Sequence, residues 1–461
     1  MNVTVVGAGY VGLTTATALA WVGHDVRVVE VDEAKLACLR AGSSPFFESH
    51  LDDVLQACRE RLRFTSDHEE AVRGSEVVFI AVGTPTNPDG MPDLTHLHAA
   101  FGQVLDAVRG SAQSLVVVTK STVPVGTGDR LAALVRSRAL TPRVHLASNP
   151  EFLRQGRALA DSLYPDRIVV GGSGPAVSAL RRLYRPIVER HFEPPAGLER
   201  PAFQGPVPFQ EVDLRSAELA KYAANAFLAM RISFINEVAN VADLVGADVD
   251  EVASAIGADP RIGLSYLQAG LGYGGSCLPK DARALHQLAA ANGYEFELLA
   301  AAMRVNDSQR ARVVGHLEFS LGGLTGKRVA LLGLAFKPGT DDMREAPSVQ
   351  LAADLLARGA QVTGHDPRAL ANAERVMPAG VRLVPSVSDA LQGADAAVLV
   401  TEWPEYVALK PEAFLSRMRR PLVVDGRNAL SADVRRALEY RGIGLAGRTR
   451  AASEPDALAA D

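Results

Sequence analysis

Six residues near the start, Gly7-Ala8-Gly9-Tyr10-Val11-Gly12, constrain the fold of this chain more than any others. They fit G-x-G-x-x-G, directly after an apolar run, Asn2–Val6, and at the head of a helical pattern, Val11–Trp21. Gly7 permits a tight turn, Gly9 lets a pyrophosphate approach the backbone, and Gly12 lets the helix pack closely on the strand. The helix N-terminus then faces the phosphates. The pattern alone is weak, but Glu30 closes the next predicted strand, Val26–Glu30. A carboxylate at that spacing accepts from ribose hydroxyls, and its charge repels a 2′-phosphate, which favours NAD over NADP. Lys35, slightly further on, reads equally as a ribose contact or as a solvated surface lysine.

The alternation continues. Apolar runs at Val77–Val82, Leu115–Thr119, Val144–Ala147 and Ile168–Gly171 are separated by helical stretches such as Leu94–Val108. This reads as a parallel sheet with helices on both faces. Prolines then crowd Pro194–Pro208, a composition that blocks regular structure. A Pro-free helical run follows from about Asp213, a plausible N-cap, to Val245, with Gly246 as its stop. Further helices are expected at Val249–Ile256 and about Asp281–Asn292. Strand–helix alternation restarts at Arg328–Leu332, with strands at Gln361–Gly364, Ala396–Thr401 and Leu422–Val424 and a helix at Pro347–Arg358. The expected fold class is α/β: two Rossmann-like doubly wound domains joined by a long central helix. The expected domains are residues 1–196, 197–305 and 306–448, with a disordered tail at 449–461.

The 461 residues carry a net charge of -5 with both signs interspersed and no Lys/Arg block, which argues against nucleic acid or an anionic membrane as partner. Three cysteines, Cys38, Cys58 and Cys277, are too few and odd in number for a disulfide framework and fit a reducing compartment. No apolar stretch reaches transmembrane length, so a cytoplasmic protein is expected.

Chemistry concentrates in Gly270-Leu271-Gly272-Tyr273-Gly274-Gly275-Ser276-Cys277-Leu278-Pro279-Lys280-Asp281. A thiol beside a nicotinamide can trap an aldehyde as a thiohemiacetal, which can lose a second hydride to give a thioester. Lys280 could favour the thiolate and Asp281 could activate the hydrolytic water; a packed cysteine after a Gly-rich turn is the alternative. Lys221 and Asn225, four apart among small alanines, share one helix face and could hold an oxyanion, though on periodicity alone a solvated pair fits better. Gly83-Thr84-Pro85-Thr86 and Lys120-Ser121-Thr122-Val123-Pro124 end two strands at the ligand edge of such a sheet. Glu151, in Asn149-Pro150-Glu151-Phe152-Leu153, could order water or a substrate hydroxyl. Lys337, Arg344 and Arg427 are cations at the edge of the last sheet and suit a diphosphate, or are merely solvated.

Together these strings resemble the UDP-glucose 6-dehydrogenase family. The resemblance runs through Gly7–Gly12, Gly83–Thr86, Ser121–Pro124, Asn149–Leu153, Glu218–Phe227, Gly270–Asp281, Gly333–Pro347 and Asp425–Arg427, nearly the whole chain in family order. It implies oxidation of UDP-glucose to UDP-glucuronate with NAD as the cofactor, no metal, and a homodimer built on the central helix. The acid would feed a polysaccharide or lipid modification. By the same resemblance Cys277 is the nucleophile, Lys221 and Asn225 stabilise oxyanions, and Asp281, Thr122 and Glu151 position water and move protons. Gly7, Gly9, Tyr10, Val11, Gly12, Glu30, Lys35, Thr86, Thr122, Lys280 and Arg344 would contact NAD. Glu151, Phe152, Leu153, Tyr266, Leu267, Gln268, Ala269, Gly270, Gly274, Lys337 and Arg427 would contact the nucleotide sugar, and Arg261 would reach the partner subunit's site. Two positions depart from the family pattern: Glu30 stands where Asp is more common, and Gln155 where a Glu is common. GDP-mannose 6-dehydrogenase is the nearest rival. UDP-N-acetylhexosamine dehydrogenases typically carry His in place of Ser276, and a catalytically silent nucleotide sensor is the reading of a different class.

Overall fold

The computed structural model describes residues 1–87, 90–109, 114–141, 143–202 and 205–445. The expected tail at 449–461 lies outside the described residues. Two compact units, Met1–Ala224 and Asn225–Asp461, each hold one sheet.

The first sheet comprises β1 Asn2–Val6, β2 Asp25–Val29, β3 Leu62–Thr65, β4 Val77–Ile80, β5 Leu115–Thr119, β6 Val144–Ser148, β7 Ile168–Gly172 and β8 Phe209–Val212, in the order β3-β2-β1-β4-β5-β6-β7-β8. Its pairings are parallel except β6 with β7. Helices cover both faces because the central strands are apolar on both sides: β4 and β5 are buried at every position, as a two-sided parallel sheet demands. The described part of Pro194–Pro208 contains no helix or strand.

The second sheet comprises β9 Arg328–Leu332, β10 Gln361–His365, β11 Arg382–Leu383, β12 Ala396–Leu399, β13 Leu422–Asp425 and β14 Glu439–Gly442, ordered β11-β10-β9-β12-β13-β14 and parallel throughout. In each sheet the strand order reverses beside the first strand, which opens a crevice at the carboxyl ends of the strands. The α/β class and both Rossmann-like sheets are therefore as expected.

One helix, Leu214–Val245, runs across the boundary between the units. Asp213 does cap it, accepting from Ser216 N at 2.9 Å, and Gly246 ends it with φ +76°. A second long helix, Glu297–Leu321, was not anticipated. The helix after the cysteine loop begins at Leu278, earlier than the expected Asp281. Pro279 in its first turn has its φ preset for helix and lacks only an N–H that would be unpaired there anyway.

Candidate active site

In the first unit the glycine turn is built as its sequence requires. Gly7 has φ +100°, and a Cβ on Gly12 would lie 1.9 Å from the Gly7 carbonyl oxygen. A Cβ on Gly9 would meet nothing within 4 Å, so the turn opens outward at that residue. The helix Tyr10–Trp21 has Gly9 as its N-cap, and glycine has no side chain to satisfy the first N–H groups, so the helix end suits an anion. Glu30 is buried; its Oε2 accepts from Ala8 N at 3.2 Å and its Oε1 from Asp32 N at 2.9 Å. The longer carboxylate thus braces the glycine turn itself. The Tyr10 ring packs on Phe46 with centroids 3.9 Å apart, Val11 is half-buried against the core, and Lys35 is exposed. Thr84 Oγ1 donates to Thr122 O at 3.0 Å and Ser121 Oγ to Val82 O at 2.7 Å, which ties the loops after β4 and β5 together. Thr86 is exposed and bridged to Pro92.

The loop after β6 carries a buried ion pair. Lys221 Nζ lies 2.8 Å from Glu151 Oε1, with both side chains buried. Glu151 Oε2 accepts from Leu153 N at 2.6 Å. Burial alone would raise the Glu151 carboxyl, but the Lys221 ammonium, aided by Leu153 N–H and Lys120, holds it below the ordinary range. Two cations lie over the Phe152 ring, the Arg167 guanidinium at 3.7 Å and Lys221 Nζ at 5.6 Å from its centroid. Arg154 binds Asp161 through Nε at 2.9 Å and Nη2 at 2.6 Å, and Gln155 is half-buried in the same loop. Glu48 holds the loop from outside, accepting from Gly156 N and Ala158 N, each at 2.7 Å. A cavity of about 650 Å³, open mouth included, is lined by Lys120, Asn149, Glu151, Phe152 and Tyr184 among others.

In the second unit Cys277 is the N-cap of the helix Leu278–Ala291. The positive end of the helix favours a thiolate at such a position. Its Sγ lies 3.6 Å from Ser276 Oγ. Asp281, one turn on, is buried; its Oδ2 accepts from Asn225 Nδ2 and its Oδ1 from Lys280 Nζ, both at 2.6 Å. Cys277, Lys280, Asp281 and Asn225 are therefore brought together. Lys221, four residues before Asn225 on the same helix, belongs to the first unit with Glu151.

Packing fixes the cysteine loop. Gly275 has φ +85°, and a Cβ there would lie 2.6 Å from the Phe336 ring. Asn306 Oδ1 accepts from Tyr273 N at 2.7 Å and Asn236 Oδ1 from Gly270 N at 2.8 Å. Arg427 Nη1 donates to Gly272 O at 3.1 Å and its Nε to Val400 O at 2.7 Å, so this cation links the loop to the end of the second sheet. Gly274 packs against Glu345 O. Tyr266 has φ +65°, Leu267 and Ala269 are buried, and Gln268 is exposed. Lys337 Nζ stands over the Phe336 ring at 5.6 Å, and Arg344 is paired with Asp342 at 2.6 Å. Arg261 is exposed and paired with Asp259 of its own chain at 2.5 Å.

Three family models match in order: the NAD-binding domain of the UDP-glucose/GDP-mannose dehydrogenase family over residues 1–188, its central domain over 215–308 and its UDP-binding domain over 330–432. The chain is 44% identical to a UDP-glucose 6-dehydrogenase of Pseudomonas aeruginosa, covering 96% of this chain and 97% of that one. This chain belongs to the UDP-glucose/GDP-mannose dehydrogenase family. It is also 42% identical to UDP-glucose 6-dehydrogenase YwqF of Bacillus subtilis, over 96% of this chain and 98% of that one. Among solved structures it is similar to a UDP-glucose dehydrogenase from Pyrobaculum islandicum, with TM-score 0.86 and 39% identity over 96% of this chain and 97% of that one. As a family member it is an NAD-dependent oxidoreductase with a nucleotide sugar as substrate. The outward-facing Gly9 and the helix end it caps fit the cofactor's pyrophosphate. Among the described residues no helix is long and apolar enough to cross a membrane.

Sequence reading missed several residues that build the site. Lys120 was noticed only as part of a strand-end string, yet it is buried in the same cavity as Glu151. Glu48, Asn236 and Asn306 hold loops 33 to 110 positions away. No local spacing rule reports partners so distant.

Proposed function

We propose that this enzyme oxidises UDP-glucose to UDP-glucuronate, taking up one water and reducing two NAD per sugar. The first domain, about residues 1–196, holds the cofactor; the segment 197–305 carries the cysteine loop, and residues 306–448 hold the UDP portion. The reading rests chiefly on the buried Asn225–Asp281 pair, joined by half-buried Lys280, with Asp281 one helical turn from the N-capping thiol of Cys277, and is supported by relatives named UDP-glucose 6-dehydrogenase.

Bound NAD supplies the hydride acceptor. Gly7, Gly9, Tyr10, Val11 and Gly12 present the turn to its phosphates, Glu30 and Lys35 face the adenosine ribose, and Thr86, Thr122, Lys280 and Arg344 complete its contacts. Lys221 takes the proton of the sugar's 6-hydroxyl as that carbon becomes an aldehyde. Cys277 Sγ then adds to the aldehyde carbon; a C–S bond forms and the oxygen becomes an oxyanion, stabilised by Lys221 and Asn225. One such donor is worth about 2.7–4 kcal/mol. Loss of a second hydride leaves a thioester. Water, deprotonated by Asp281 and positioned with Thr122 and Glu151, adds to it, the C–S bond breaks, and the acid and free thiol are released. Phe152, Leu153, Tyr266, Leu267, Gln268, Ala269, Gly270, Gly274, Lys337 and Arg427 hold the nucleotide sugar.

Exposed Phe227, Phe234 and Val241 recur every seven residues on the long helix. This stripe supports a homodimer in which Arg261 reaches the partner's site. The requirement for a free thiol, with all three cysteines unbridged, supports a reducing, cytoplasmic location. The test is NADH formation with UDP-glucose, GDP-mannose and UDP-N-acetylhexosamines in parallel. Turnover of GDP-mannose without UDP-glucose overturns the substrate assignment, and binding without any turnover overturns the enzyme.

A further inference from the structure

Beside the proposed proton acceptor's partner Glu151 lies a buried cation that the mechanism does not use, Lys120. Lys120 directly follows β5 and is 7% exposed. Among the described residues its ammonium has one hydrogen-bond acceptor, Asn149 Oδ1 at 3.0 Å. That oxygen also accepts from Tyr184 Oη at 2.6 Å, and Asn149 Nδ2 donates to Val169 O at 2.8 Å. The amide is thereby fixed with its oxygen toward the lysine. A neutral acceptor does not neutralise a buried ammonium, and such a charge is costly unless compensated. The charged groups that share its cavity are Glu151 and Arg154 from the loop after β6, Asp161, Asp166 and Arg167; Tyr184 is the other titratable one. Arg154 and Asp161 satisfy each other. Lys120 therefore interacts electrostatically with Glu151, which favours its charge, and with Lys221, which opposes it.

We propose that Lys120 is a positioning residue for the oxidation: a second cation that shares Glu151 with Lys221 and drives Lys221 toward the neutral form needed to accept a proton. Two ammonium groups and one carboxylate leave a surplus positive charge, and repulsion between the lysines favours release of one proton from the set. Burial pushes Lys120 itself down to about 8, which leaves it charged at pH 7 and able to act on Lys221. The inference rests on the proposed reading of Lys221 as a base.

The test compares the pH profile of kcat/KM for UDP-glucose, with kcat and KM separated, in the full-length enzyme and in Lys120→Met, Lys120→Arg and Asn149→Asp. Each change that makes the site more negative shifts the acidic limb upward. Lys120→Met and Asn149→Asp are expected to move it up by about one pH unit, with a roughly tenfold loss at pH 7 and KM for NAD within about twofold. Lys120→Arg restores the limb. Should Lys120→Met fail to fold, Asn149→Asp carries the test. An unshifted limb in the folded variants, whatever their rates, overturns the inference and leaves a purely structural lysine. Failure of wild type to reduce NAD with any nucleotide sugar overturns the underlying reading instead.

Discussion

Replacing Lys221 by methionine keeps most of the side-chain volume and removes one charge. It leaves the Glu151 carboxylate buried with its ion-pair partner gone; the two side chains are 4% and 6% exposed and 2.8 Å apart. Breaking a buried pair by removing one partner costs about 3–5 kcal/mol. Leu153 N–H and the Lys120 charge remain beside Glu151, which puts the expected loss near the lower end, about 3 kcal/mol. For a domain the size of the first unit, one kcal/mol moves the melting temperature by about 2–4 °C, so a fall of about 6–12 °C is expected. The assay is denaturant and thermal unfolding of the full chain, completed as a double-mutant cycle with Glu151→Gln. The double variant should recover about 1–3 kcal/mol of the summed losses. The pH dependence supplies a second readout. Glu151 has a folded pKa held below its ordinary 4.5, so its stabilisation is present above that value and lost as pH falls through the folded value. Lys221→Met should flatten this acid limb. A loss under about 1 kcal/mol, or an unchanged acid limb, would refute the reasoning.

Other perturbations have equally definite outcomes. Cys277→Ser should lower uronate production by roughly 10³-fold or more while nucleotide-sugar binding persists, as read by product chromatography and calorimetry; wild-type acid output would remove the covalent route. Gly275→Ala must adopt φ +85° and meet the Phe336 ring at 2.6 Å, so it should cost about 2 kcal/mol or more and slow alkylation of Cys277. Lys120, lowered from 10.5 to about 8, releases its proton in the native state before the unfolded one does. Stability should therefore rise with pH between those values, and Lys120→Met should abolish that rise.

What the sequence made legible was local. The glycine turn and the long helix with its Asp213 cap and Gly246 stop are set by residues within a few positions of one another. The edge strands β3, β8 and β14 escaped because Leu62-Arg63-Phe64-Thr65, Phe209-Gln210-Glu211-Val212 and Glu439-Tyr440-Arg441-Gly442 interleave charges with few apolar residues; a strand with one free edge needs no apolar run. The helix Glu297–Leu321 was hidden because its buried face includes Asn306 and Gln309, and Asn306 is spent on the cysteine loop. The place of Cys277 at a helix end depends on Pro279, which starts the helix at Leu278 instead of the expected Asp281. The pairing of Lys221 with Glu151 links positions 70 residues apart, and spacing within one sequence carries no record of such a contact.

The central claim, that one sulfur holds the sugar carbon through two successive oxidations, is tested most directly by counting NADH formed per UDP-glucose consumed in a single closed reaction. The account predicts two, with UDP-glucuronate as the product. A ratio of one, with the aldehyde accumulating, would contradict it.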